Sequence, residues 1–218
     1  MYDAHYDLLT ILYFNCKTNN KYSNYQKLIT DCTNIYNNNI IGGTINLYFM
    51  SKEEMLEELD IKKSELEDIV KMFDDSINYL NKLKMKKIIP STCKFIYSIE
   101  GCDYLKDESE LEILYQKGLR SILPVWNTAN KFASGNRDVY GLTEEGVKLI
   151  KKAISLNMII DLSHANEKTF EDIIKLANIE RKNKKSFILL ASHSNVKSIC
   201  DNSRNLSDDE LIKLKNAG

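Results

Sequence analysis

Met158-Ile159-Ile160-Asp161-Leu162-Ser163-His164 and Phe187-Ile188-Leu189-Leu190-Ala191-Ser192-His193 are two short apolar runs, and each closes on a histidine. Apolar runs of this length read as strands, and the amphipathic stretch between them, Asn166 to about Arg181, reads as a helix. Strand, helix and strand in that order form a βα unit and imply a parallel sheet.

The same alternation extends outward. Thr143-x-x-Gly146 opens a helix running to about Leu156, with Glu144 and Glu145 at its positive end. Arg120 to Asn127 reads as a strand in spite of Pro124, and Ser109 to Gln116 as a short helix that Gly118 caps. Phe95 to Gly101 is another strand. Ser64 to Lys87 is the strongest helix: Ser64 and Glu67 form a capping box, and Leu66, Ile69, Phe73, Leu80 and Leu83 mark its buried stripe. Pro90 bars its extension. Ile40 to Met50 reads as a strand whose Gly42-Gly43 pair allows a bulge or a close backbone approach. A helix is expected over Tyr22 to Asn38, and a weakly marked first strand over Tyr2 to Asp7. At the other end, Ser207-Asp208-Asp209-Glu210 caps a last helix. With no linker or repeat, residues 1–218 are expected to form one domain. The pattern is α/β, of (β/α)8 TIM-barrel type, with about the first six βα units present. Such barrels need eight units in roughly 250 residues, so the chain is expected to be an incomplete barrel.

Composition narrows the function. A net charge of −1 gives no basic footprint for nucleic acid. No apolar stretch reaches the roughly 18 residues of a membrane span. Five cysteines, odd in number and without a Cys-x-x-Cys pair, argue against a disulfide framework. The N-terminus runs straight into His5-x-Asp7, which leaves no room for a signal peptide. A cytoplasmic protein is expected.

All three histidines, His5, His164 and His193, fall at strand ends. In barrels of this type the active-site groups come from the C-terminal strand ends. Those ends also carry Asp7, Glu100, Trp126 and Asn127. Singly, each has an ordinary explanation: a surface dipeptide at the N-terminus, a turn cap at Glu100, core packing for an imidazole or for Trp126. The coincidence of every histidine with carboxylates at successive strand ends favours metal binding. Five ligands are too many for one open zinc site but suit two metals bridged by a carboxylate, and Glu100 is the central candidate. Arg204 follows the last strand, placed either to grip a carboxylate by a forked contact or to lie on the surface.

Together these segments resemble the membrane (renal) dipeptidase family of zinc peptidases. The matching motifs are Asp3-Ala4-His5-Tyr6-Asp7, Ile99-Glu100-Gly101, Gly118-Leu119-Arg120, Trp126-Asn127-x-x-Asn130, Gly141-Leu142-Thr143-x-x-Gly146, Ile160-Asp161-Leu162-Ser163-His164, Ala191-Ser192-His193-Ser194 and Ser203-Arg204-Asn205-Leu206. The resemblance implies two zinc ions, one held by His5 and Asp7 and the other by His164 and His193, with Glu100 bridging. It also implies that a hydroxide shared by the metals attacks the peptide bond of a dipeptide. Arg204 would hold the substrate carboxylate, and Trp126 and Asn127 would line its pocket. The family continues into two further strands, the last bearing an aspartate for the leaving amine, so impaired activity is expected unless a second copy or a partner chain closes the barrel. Two alternatives stand beside this reading. One is another two-metal amidohydrolase-like enzyme, although such relatives usually open with His-x-His. The other is a non-catalytic metal-binding remnant.

Overall fold

The computed structural model describes residues 2–17, 41–48, 56 and 67–217. Strands and helices alternate along it: β1 (Tyr2–Tyr6), α1 (Leu8–Lys17), β2 (Gly42–Tyr48), α2 (Ile69–Met85), β3 (Lys94–Glu100), α3 (Glu110–Gln116), β4 (Leu119–Leu123), α4 (Glu144–Ser155), β5 (Ile159–Asp161), α5 (Glu167–Lys182), β6 (Ile188–Leu190) and α6 (Asp208–Ala217). The chain divides into two compact units, Met1–Ser98 and Ile99–Gly218. The expected helix over Tyr22 to Asn38 lies outside the described residues.

In the first unit β1 pairs in parallel with β2, and Ile41 O accepts from Lys94 N at 3.0 Å where β3 begins. The β1–β2 register shifts between Asp3 and Tyr6, so the irregularity falls on the stretch that carries His5. The glycine pair serves close approach instead: a Cβ on Gly42 would stand 1.9 Å from Lys94 O, and one on Gly43 2.5 Å from Asp3 O. Helix α1 starts directly after Asp7, whose carbonyl accepts from Ile11 N at 3.2 Å, and buries Leu8, Leu9, Leu12 and Tyr13. Helix α2 begins later than its sequence suggests. Asp68, not Ser64, is the cap, with its carboxylate accepting from Lys71 N at 2.9 Å. Ser64 itself lies outside the described residues.

In the second unit the end of β3 neighbours β4, since Gly101 N donates to Leu123 O at 3.0 Å, and β4, β5 and β6 follow in parallel. Strand β4 stops at Leu123, short of the expected Asn127, because Pro124 has no N–H to continue the ladder. Thr143 caps α4 by accepting from Gly146 N at 3.0 Å. Asn166 caps α5 from Thr169 N at 2.7 Å, and Ser207 forms a reciprocal capping box with Glu210. The strand–helix alternation and strand order are those of the TIM-type barrel, with six βα units among the described residues. Among the described residues, no helix is long and apolar enough to cross a membrane.

Gly146 gives the Thr-x-x-Gly motif a packing reason. A Cβ there would meet Phe132 O at 1.9 Å, and Phe132 O also accepts from Thr143 N at 3.0 Å. Gly146→Ala is therefore expected to destabilise the protein by about 1–3 kcal/mol, more than Thr143→Ala at about 1 kcal/mol. Urea titration of both variants checks the order.

Candidate metal centre

Glu100 ends β3 and is only 2 % exposed. Its Oε1 lies 2.9 Å from His164 Nε2 and 3.7 Å from His193 Nε2. The two imidazole rings are 5.0 Å apart between centroids. Both histidines sit three residues beyond their strands, on the loops that follow β5 and β6. His164 reaches this place with a φ of 72°, in the left-handed region that non-glycine residues seldom occupy.

The second ring nitrogens are also engaged. His164 Nδ1 faces Asn127 Oδ1 at 2.8 Å, and His193 Nδ1 faces Ser192 Oγ at 2.8 Å. With Asn127 Oδ1 as acceptor, the proton of a neutral His164 sits on Nδ1 and its Nε2 lone pair points at a carboxylate oxygen. Two lone pairs facing each other repel unless a proton or a metal cation lies between them. Two donors bound to one zinc at about 2.0–2.1 Å are separated by roughly 3.3 Å at the tetrahedral angle. The observed separations of 2.9 and 3.7 Å straddle that value. This donor set fits a divalent metal.

Trp126 stands beside the cluster, with its ring 6.1 Å from that of His164. Asn127 is fixed from behind, since its carbonyl accepts from Arg137 N at 3.0 Å. Arg204 is half-buried; burial lowers the pKa of its guanidinium, and the Glu100 and Asp161 carboxylates oppose that shift. Its Nη1 is buried without a hydrogen-bond partner among the described residues. Cys102, two residues past Glu100, stays out of the ligand set: burial pushes its thiol pKa up, and Sγ donates to Leu123 O at 3.5 Å.

In the other unit, His5 Nε2 and Asp7 Oδ1 are 3.4 Å apart at the end of β1. Asp7 Oδ1 is buried and accepts no hydrogen bond from the described residues, as suits a ligand atom whose partner would be a cation. His5 N donates to Asp3 Oδ1 at 3.1 Å, which gives the first residue of the Asp-x-His-x-Asp motif a bracing role.

Sequence reasoning assigned nothing to Asp161, Ser163 or Ser192. Ser163 N and Ser192 N both donate to Asp161 Oδ1, at 3.0 and 3.1 Å, and His193 N donates to Ser163 Oγ at 3.2 Å. The available signal was the repeated Ser-His dipeptide with an aspartate three residues before the first histidine.

A buried carboxylate facing two imidazoles, on loops after parallel strands, is a site of the kind that metal-dependent barrel hydrolases carry. The chain belongs to the membrane dipeptidase family, peptidase family M19, whose model matches residues 1–218. It is 38% identical over 129 residues to an uncharacterized protein in the pqqA 5′ region of Klebsiella pneumoniae, covering 55% of this chain and 45% of that one. It is 24% identical over 196 residues to an uncharacterized dipeptidase of Schizosaccharomyces pombe, covering 88% and 46%. The chain thus spans under half the length of these curated relatives. Among solved structures, dipeptidase AC, a metallo peptidase of family M19, superposes with a TM-score of 0.74 at 22% identity, covering 99% of this chain and 69% of that one. A metallo peptidase from Rhodobacter sphaeroides, liganded with a phosphinate mimic of the dipeptide L-Ala-D-Ala, gives 0.69 at 21%, covering 99% and 71%.

Asn127 Oδ1 faces the His164 ring nitrogen opposite the one that faces Glu100. Asn127→Leu is expected to leave the fold intact and weaken metal binding about 10- to 100-fold. Chelator competition with purified protein measures the change.

Proposed function

We propose that the chain is a zinc-dependent dipeptidase using two zinc ions. The ligands divide as the motif match implies: His5 and Asp7 on one ion, His164 and His193 on the other, and Glu100 shared. The single observation that carries this reading is the buried Glu100 carboxylate set against the Nε2 atoms of His164 and His193. The thiols of Cys102 and Cys200 fit a reducing cytoplasm.

When bound, the zinc pair would supply an activated water as nucleophile and positive charge for the developing oxyanion. The protein's own groups do the rest. Asn127 and Ser192 hold the imidazoles in a metal-binding orientation. Arg204, whose buried Nη1 has no partner among the described residues, grips the dipeptide's terminal carboxylate and so selects short substrates. Trp126 walls the pocket beside His164 and limits the adjoining side chain.

Purified protein loaded with zinc should bind about two ions per chain and hydrolyse simple dipeptides. A phosphinate dipeptide mimic should inhibit it. Glu100→Gln should lose both ions together, and Arg204→Ala should raise KM more than it lowers kcat. Zinc bound in full, with neither hydrolysis of any dipeptide nor binding of the phosphinate mimic, would overturn the dipeptidase reading.

Acid should strip the metal. Ligand imidazoles must be neutral, so affinity is full above the ordinary histidine pKa of about 6.5 and falls as pH drops through it. Zinc titrations between about pH 8 and 5 measure this, and an affinity that rises toward acid would contradict imidazole ligation.

A further inference from the structure

The loops that carry His164 and His193 belong to different βα units, yet one carboxylate oxygen ties them together. Asp161 is the last residue of β5 and is 2 % exposed. Its Oδ1 accepts from Ser163 N at 3.0 Å on its own loop and from Ser192 N at 3.1 Å on the next. Each of those amides belongs to the residue immediately before a histidine. Ser163 adds a second tie by accepting from His193 N at 3.2 Å, and Leu162 N donates to Leu190 O at 2.8 Å.

We propose that Asp161 is a positioning residue that fixes the two histidine loops to one anchor, so that both imidazoles face Glu100 as a single preformed pair. This rests on the metal-site reading above and adds a residue that binds no metal itself. Anionic acceptors make stronger bonds to backbone N–H than neutral ones. A buried acceptor serving two N–H groups also leaves both unsatisfied when it is removed. Preformed geometry matters because free loops would lose conformational freedom on binding metal, and that loss comes out of the affinity.

The substitutions Asp161→Ala and Asp161→Asn separate the bonds from the charge. Asp161→Ala should weaken zinc binding about 10- to 100-fold, while Asp161→Asn, which keeps a carbonyl oxygen near both amides, should stay within about fivefold of the parent protein. Gly146→Ala, destabilised at α4, should bind zinc within about twofold of the parent, which separates positioning from general loss of stability. Amide exchange gives a readout free of activity and of the alanine variant's folding: in Asp161→Asn the Ser163 and Ser192 amides should exchange faster by a similar, modest factor, because a neutral oxygen accepts more weakly than a carboxylate. Parent-like zinc affinity in folded Asp161→Ala, or loss of protection at only one amide in Asp161→Asn, overturns the proposal. A parent protein that binds no zinc overturns the metal-site reading, and the exchange measurement still decides whether Asp161 couples the loops.

Discussion

A carboxylate buried at the end of a strand is expensive: the effective cost of taking an ion out of water is several kcal/mol, and only a counter-charge or strong hydrogen bonds offset it. Glu100 is set against the Nε2 atoms of two imidazoles, those of His164 and His193. Imidazole can answer a carboxylate in two ways, by taking a proton or by sharing a metal ion. Either would offset the buried charge. Everything placed around Glu100 follows from the need to keep both nitrogens pointed at it.

The surrounding loops show how that need is met with little regular structure. Strands β5 and β6 are only three residues each, so the ladder alone fixes little beyond them. The chain leaves β5, holds His164 at a positive φ that costs of order 1–3 kcal/mol, bridges Gly135 from Ala165, and enters α5 at the Asn166 cap. Asn166 Nδ2 also donates to Asp138 O and Tyr140 O at 2.7 and 2.8 Å. The β4–α4 loop is thereby tied to the residues that flank His164, and it brings Asn127 to the far side of the imidazole. The helix cap and the ligand orientation are parts of one local network.

The βα alternation was legible because its units are amphipathic, with buried stripes at helical spacing and short apolar strands. The candidate ligands stood out because histidine is scarce here: His5 lies near the end of β1, and His164 and His193 follow β5 and β6. The exact edges were not. The Arg120–Asn127 run reads as a strand on apolarity, but Pro124 ends the ladder and turns Trp126 and Asn127 into loop residues. Helix α1 went unread because Leu8-Leu9-Thr10-Ile11-Leu12 is equally apolar in either period, and the Asp7 carbonyl that begins it leaves no mark in composition. The anchoring by Asp161 was hidden for another reason: it lies in bonds between two loops thirty residues apart, and sequence spacing carries no trace of such a contact.

Charge explains why an arginine is tolerated beside a cation site. With neutral imidazoles, Glu100 and Asp161 set two negative charges against the single positive charge of Arg204. The centre of this unit is then short of one positive charge, which favours a cation. A bound divalent ion would reverse the balance to one net positive charge, and a carboxylate-bearing substrate would neutralise it. The Asp161 carboxylate is one of the two that oppose the effect of burial on the guanidinium, and its Oδ1 accepts from both histidine loops.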